Sequence, residues 1–229
     1  MNYQRFSPMS QNRMPPGVLN LIVINVIFFI AKNFAESKYI DLGNILGLHH
    51  PFSKEFHFYQ YVTSIFMHAD FGHILFNMFG LWVFGAMLEN AFGTKRFLIF
   101  YLICGVGASI IYQIWVSAIQ YNSFVGNVPG IIEALLTYPP AGILIGASGA
   151  VYGILMGAAL LFPNTEMYMM FIPIPVKLKW LAVFYGVAEL YNSVHIDSSD
   201  NVAHFAHIGG MIFGFILVKI YSQNKTHFY

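Results

Sequence analysis

Apolar runs separated by short polar or turn-rich connections dominate the chain, at about 18–35, 66–88, 97–119, 142–162, 176–194 and 202–222. Each is close to the ~20 residues a helix needs to cross a hydrocarbon core. The pattern predicts an all-α polytopic membrane protein, a bundle of six transmembrane helices. A polar tail ending in Arg13-Met14-Pro15-Pro16-Gly17 precedes the first run without a small-residue cleavage site, which predicts a retained anchor rather than a signal peptide. The expected organisation is a tail over 1–14, a membrane domain over 15–222 and a second tail over 223–229. Residues 36–65 form a long first loop that is neither polar nor periodic. Its Phe52, Phe56, Phe58, Tyr59 and Tyr61 suit a segment at the membrane interface that belongs to the folded body.

Composition supports the membrane assignment. Of 229 residues, 57% are hydrophobic and 9% charged, against roughly a quarter charged in soluble domains. The mean hydropathy is +0.62. With a net charge of +1 and no basic run or aromatic-basic stripe, nothing points to nucleic acid. Cys104 is the only cysteine, so an intrachain disulfide or a thiolate metal cluster is excluded, and an apolar setting makes it a small core residue.

Charge placement sets an orientation. Arg5, Arg13, Lys95, Arg96, Lys177, Lys179, Lys219 and Lys225 fall on one side of six spans, leaving Lys32, Lys38 and Lys54 opposite. The positive-inside rule then places both termini in the cytoplasm and the first loop outside, with the plasma (inner) membrane as the expected location.

A hydrogen-bonding group within hydrocarbon is costly and therefore a functional candidate. The candidates are His68, His73 and Asn77 in the second run, Ser148 and Tyr152 in the fourth, and His204 and His207 in the sixth. Any one alone reads as glue between helices. Depth brings three of them together. Pro163 should end the fourth helix and the glycines around Ser148 should begin it, giving a helix of about 21 Å in a ~30 Å core. Counted from the cytoplasmic ends of their own spans, Asn77 and His207 also lie about 20 Å deep. Gly149, Gly153 and Gly157 on the fourth helix, with Ala206, Gly210 and Gly214 on the sixth, form small-residue ridges that permit close approach.

A serine beside a neutral imidazole, at a helix N-terminus that offers its amide, is a nucleophile, a general base and an oxyanion site. His73 and Asn77, four apart and so on one face, could add donors. No carboxylate is expected at this depth, so the site reads as a Ser148–His207 dyad, with Tyr152 to stack on the imidazole. His204, one turn nearer the surface, is expected to modulate rather than act as the base. Glu89 is expected to be structural. Glu189 reads as lining a gate or meeting headgroups, and His49, His50, His57 and His227 as interfacial or exposed.

In this order the motifs resemble those of rhomboid intramembrane serine proteases, over about residues 15–222. They are the G-x-S-G of Gly146 to Gly149, the A-H-x-x-G-x-x-x-G of Ala206 to Gly214, and the H-x-x-x-N of His73 and Asn77. His68 five before His73, Gly85 with Glu89, and "FPN" and "IPIPVKLKW" between spans four and five add support. The resemblance implies a six-helix bundle around an outward-opening aqueous cavity, Ser148 as nucleophile and His207 as base. It assigns the oxyanion hole to His73, Asn77 and the Ser148 amide, and substrate entry to span five and the loop "HIDSSD". No metal or organic cofactor is implied. The partners implied are the lipid bilayer and single-span membrane proteins whose helix unwinds near the outer face, since a carbonyl bonded within a helix is not open to attack. Where many members carry Trp-Arg in the first loop, this chain has Tyr59-Gln60.

Three alternatives have weaker support. An inactive relative that binds client helices would typically have lost Ser148 or His207. A metal or proton transporter using His68, His73, His204 and His207 lacks an acidic or thiolate partner and an HExxH helix. A soluble-type serine hydrolase would need glycine where Ala150 stands.

Overall fold

The computed structural model describes residues 14–124, 142–169, 172–195 and 203–223. Arg5, Arg13, Asp197, Lys225 and His227, most of the "HIDSSD" loop, and 125–141 of the connection between spans three and four lie outside the described residues. The elements are α1 (Pro16–Glu36), α2 (Leu42–Leu46), α3 (Gln60–Thr63) running into a 3-10 turn (Ser64–Phe66), α4 (Phe71–Phe92) and α5 (Thr94–Phe124). After these come α6 (Ser148–Leu161), β1 (Glu166–Met169), β2 (Ile172–Lys177), α7 (Leu178–Val194) and α8 (His204–Gln223).

Among the described residues, four helical stretches are long and apolar enough to cross a membrane: Pro16–Glu36, Phe71–Phe92, Thr94–Ile119 and His204–Gln223. The fold is thus a mostly helical membrane bundle, and a count of six depends on α6 and α7. The 14-residue α6 is short for two reasons. Its approach segment is extended, with Leu144 bridging Leu48, and Pro163 follows its last turn. The 17-residue α7 carries Lys179 and Glu189.

The expectation of a purely helical chain is corrected by β1 and β2, an antiparallel hairpin with Glu166 opposite Lys177. Pro173 and Pro175 deny this stretch a helix, and a two-stranded sheet, being all edge, tolerates them.

The core is built around α6, which packs against α4, α5, α7 and α8. Its composition of Gly, Ala and aliphatic residues, apolar nearly all round, is that of a buried helix. Along α8 the contact is backbone on backbone: a Cβ on Gly210 would overlap the Gly149 carbonyl, and one on Gly214 the Gly153 carbonyl. Gly157, expected on the same ridge, instead faces Phe100 and Leu88, 2.9 and 3.0 Å from where its Cβ would lie. By contrast, α1 exposes Ile27, Ile30 and Phe34, and α7 exposes Trp180, Phe184, Val187 and Tyr191, surfaces suited to acyl chains.

Buried Glu89 clamps one end of the bundle. Its carboxylate accepts from the Gly17 and Val18 amides at the start of α1, at 2.8 and 2.7 Å, and from the Thr94 hydroxyl at 2.7 Å. Carboxylate oxygens thus satisfy N–H groups that the first turn of a helix leaves unpaired.

At the other end the first loop is folded onto α5. His49 and His50, expected at the interface or exposed, are buried in the fold, where their polar atoms find partners. His49 Nε2 bonds the Asn44 carbonyl at 2.8 Å, and His50 Nε2 bonds Ser117 Oγ of α5 at 2.8 Å. Burial holds the His50 imidazole below its ordinary pKa. His57 is exposed, as expected.

Gln60, 1% exposed, organises this loop. Its Oε1 accepts from the His49 and His57 amides at 3.3 and 3.1 Å, and its Nε2 donates to the Ile45 and Glu55 carbonyls at 3.3 and 3.0 Å. A neutral amide with two acceptor sites and two donors thus satisfies four backbone groups. Gln60→Ala should lower the thermal midpoint in detergent and destabilise by about 2–4 kcal/mol, since it strands several buried polar groups at once. A midpoint equal to that of the parent protein would show that other contacts hold the loop.

Candidate active site

The site begins at a glycine. Gly146 adopts φ +126°, a region side chains rarely occupy, and a Cβ there would lie 2.7 Å from His73 Nε2 and 3.7 Å from Ser148 Oγ. The Gly146 amide donates to the Ser64 carbonyl at 2.9 Å, which anchors the extended approach before the chain turns into α6 at Ser148. Ser148 therefore opens the helix, where its backbone amide is one of the unpaired N-terminal donors.

The glycine contacts set the distance to α8. Ser148 Oγ lies 2.7 Å from His207 Nε2, and the His207 ring stacks on Tyr152 with centroids 4.2 Å apart and planes 7° from parallel. His207 is 7% exposed.

On α4, Asp70 caps the helix by accepting from the His73 amide at 2.9 Å. His73 Nδ1 accepts from the Ala69 amide at 3.3 Å, so the ring proton of the neutral form sits on Nε2, the atom facing Gly146. Asn77 is buried and gives one amide N–H to the His73 carbonyl at 2.8 Å, leaving a second N–H. His68 is fully buried beside His73, ring centroids 5.0 Å apart.

Of the residues singled out in the sequence, Ser148, His207, Tyr152, His73, Gly146, Gly149 and Gly210 converge here. His204 sits to one side, its ring edge-on to His207 at 6.3 Å.

The expectation that no carboxylate reaches this depth is corrected by Glu189 of α7, which is 7% exposed. Its Oε1 accepts from the Tyr152 hydroxyl, and its Oε2 lies 2.6 Å from His204 Nδ1 and 3.0 Å from His207 Nδ1. The residue turns inward because it shares with Leu178, Leu181, Ala182 and Ser193 the buried face of α7, the helix packing against α6 and α8. A signal was available: Glu189 is 11 residues into α7, about 16 Å, while Ser148 stands about 20 Å from the far end of α6.

Glu189, His204 and His207 also form the N,N,O cluster that the transporter alternative lacked, with ligand atoms within 4.8 Å of one another. The fit to an ion is poor. The 2.6 Å His204–Glu189 contact is a hydrogen-bond length, and two ligands on a tetrahedral zinc would stand roughly 3.3 Å apart.

Comparison with known proteins agrees with the motif order. RHOMBOID-like protein 12, mitochondrial, of Arabidopsis thaliana is 29% identical over 194 residues, covering 84% of this chain and 54% of the relative. Rhomboid-like protein 11, chloroplastic, of the same plant is 26% identical over 221 residues, 93% of this chain and 69% of the relative. Rhomboid protease GluP of Bacillus subtilis is 30% identical over 168 residues, 73% of this chain and 27% of the relative. The chain thus spans about half the length of the first of these relatives and about a quarter of the last. Organellar names among the relatives give the expected plasma-membrane location no support; what stands is an integral membrane protein. The rhomboid domain family model matches residues 55–224, which include every residue of the site just described, and the chain belongs to the rhomboid family.

Proposed function

We propose that the protein is an intramembrane serine endopeptidase that cuts transmembrane segments of single-span membrane proteins with a Ser148–His207 dyad. The observation that carries this reading is the 2.7 Å contact between Ser148 Oγ and His207 Nε2 at the start of a helix in the middle of a membrane bundle. In the reaction, Ser148 Oγ attacks the scissile carbonyl carbon as its proton passes to His207 Nε2. The displaced electron pair resides on the carbonyl oxygen, which the Ser148 amide, His73 Nε2–H and the free Asn77 N–H stabilise. His207 then gives its proton to the leaving amine, and water hydrolyses the acyl-enzyme by the same route.

In this reading α6 and α7 complete a six-helix bundle. Lys95, Arg96, Lys177, Lys179 and Lys219 lie on the cytoplasmic side, with both termini, and Ser148 faces the outer side.

The test is direct. Purified protein in liposomes should cleave labelled single-span peptides with small residues near the outer end of the helix, and a fluorescent phosphonate should attach to Ser148. Intact peptides and an unlabelled serine would mark the chain as a family member that binds helices without cutting them. Asn77→Ala should lower kcat by about one to three orders of magnitude and alter KM far less, since the donor acts on the oxyanion. A change confined to KM would make Asn77 a packing residue.

A further inference from the structure

Beyond the dyad, and resting on the protease reading, the structure assigns a further member to the catalytic machinery: we propose that Glu189 is a positioning residue that holds His207 in its working tautomer and stabilises the imidazolium formed during catalysis.

A carboxylate inside a membrane bundle is costly unless paired. Among the described residues, the charged or chargeable side chains in ion-pair range of Glu189 are His204 and His207, with no lysine or arginine. Its two oxygens are divided between roles. Oε1 takes the Tyr152 hydroxyl, and Tyr152 is the residue whose ring stacks on His207. Oε2 takes the His204 N–H at 2.6 Å and stands 3.0 Å from His207 Nδ1. Tyr152 and His204 thus fix the carboxylate from two helices, and the carboxylate faces the nitrogen of His207 opposite the serine.

The tautomer follows. For Nε2 to accept the serine proton, Nδ1 must carry the ring hydrogen of the neutral base, and a carboxylate beside Nδ1 favours that form. The N–H at Nδ1 is not aligned for a full hydrogen bond, so the interaction is mainly one of charge. Its effect is largest when the ring becomes a cation.

The proton balance is closed without Glu189 titrating. The Ser148 O–H bond breaks and Nε2 gains the proton while Oγ bonds the carbonyl carbon. The proton later leaves with the amine, and Glu189 stays an anion throughout.

The groups around His207 can be named element by element. Ser148 and Tyr152 come from α6, Glu189 from α7 and His204 from α8, while His73 of α4 stands on the serine side at Gly146. From α5, Ala108 and Ile111 are apolar and meet α8 at Gly209. Glu189 is the one anion in this set, so removing its charge removes the group that faces and stabilises the imidazolium.

The experiment uses the full chain in liposomes and compares Glu189→Gln with the parent protein. Expected are a fall in kcat of about 10- to 100-fold, a KM within about twofold, and an acid limb of the kcat/KM profile displaced to lower pH by half a unit or more. Glu189→Asp should recover part of kcat and return the acid limb toward the parent. A Glu189→Gln protein with unchanged kcat, or with lowered kcat and an unmoved acid limb, overturns the assignment and leaves a packing role. If Glu189→Gln does not fold, Tyr152→Phe decides. It keeps the ring stack but strips the donor from Oε1, so the carboxylate holds its charge more fully against His207 and the acid limb should move to higher pH. An unmoved limb there also overturns the proposal. Cleavage by the parent protein that Ser148→Ala abolishes, with Glu189→Gln unaffected, rejects this inference alone; absence of cleavage and labelling in the parent rejects the protease reading itself.

Discussion

Ser148→Ala and His207→Ala should each reduce cleavage by at least about 10⁴-fold, and the double variant should be no worse than either single one. In the proposed mechanism nucleophile and base act as a unit, so once either is gone the other has nothing to do. The residual rate over water would come from the oxyanion donors and from substrate binding. Folding should be almost untouched by Ser148→Ala, because the substitution removes one side-chain hydrogen bond, worth about 1 kcal/mol, and leaves the backbone amide in place. His204→Ala should retain measurable turnover. It lies one helical turn away and its ring bonds Glu189, whereas the ring nitrogen that reaches Ser148 belongs to His207. A peptide-cleavage assay at matched protein concentration separates the three. An inactive His204→Ala beside a His207→Ala of parental rate would reverse the roles of the two histidines.

Gly210→Ala should be the most damaging single-atom change in the membrane core. The added Cβ would overlap the main-chain carbonyl of Gly149, and neither atom belongs to a rotatable side chain. Relief requires the two helices to part, which also draws His207 from Ser148. The expected loss is at or above the top of the ~1–3 kcal/mol typical of overpacked cores, with cleavage falling alongside. Gly157→Ala is the control. Its Cβ would meet the side chains of Phe100 and Leu88 at 2.9 and 3.0 Å, which can shift. Thermal unfolding in one detergent should therefore rank Gly210→Ala well below Gly157→Ala. Equal midpoints would mean that the α6–α8 seam yields more easily than its geometry implies.

The pair Ser148 and His207 was legible in the sequence because depth in a bilayer is a one-dimensional quantity: residues counted from a helix end convert directly to ångströms. The glycines at 149, 153, 210 and 214 were legible for a similar reason, since spacing by four places them on one face. Gly157 obeyed the same spacing yet faces α5 and α4, because the outcome depends on which helix lies opposite, and a linear pattern does not carry that information. Glu189 was noticed, but its place beside His207 was not legible, for a related cause. Its depth could be counted, but not the rotation of α7, and rotation decides between headgroups and a histidine. The loop residues were least legible. Nothing in the pattern around Gln60, His49 or His50 states that distant backbone groups will converge on them, and burial of each follows from partners up to 67 positions away. The hairpin at 166–177 falls almost wholly in what reads as the connection between the fourth and fifth apolar runs, where Pro173 and Pro175 argue against a helix but nothing states that the two halves pair.

The glycine seam between α6 and α8 has an entropic side. Where main chain rests on main chain, the spacing of two Cα atoms, those of Ser148 and His207, is set without the help of any rotatable side-chain bond. What remains free is χ1 of the serine and the two torsions of the histidine, and the stack on Tyr152 already restrains the latter pair. Nearly all the ordering needed to bring an oxygen and a nitrogen to 2.7 Å is therefore completed when the protein folds, so in the proposed reaction little conformational freedom would be left to be lost on substrate binding.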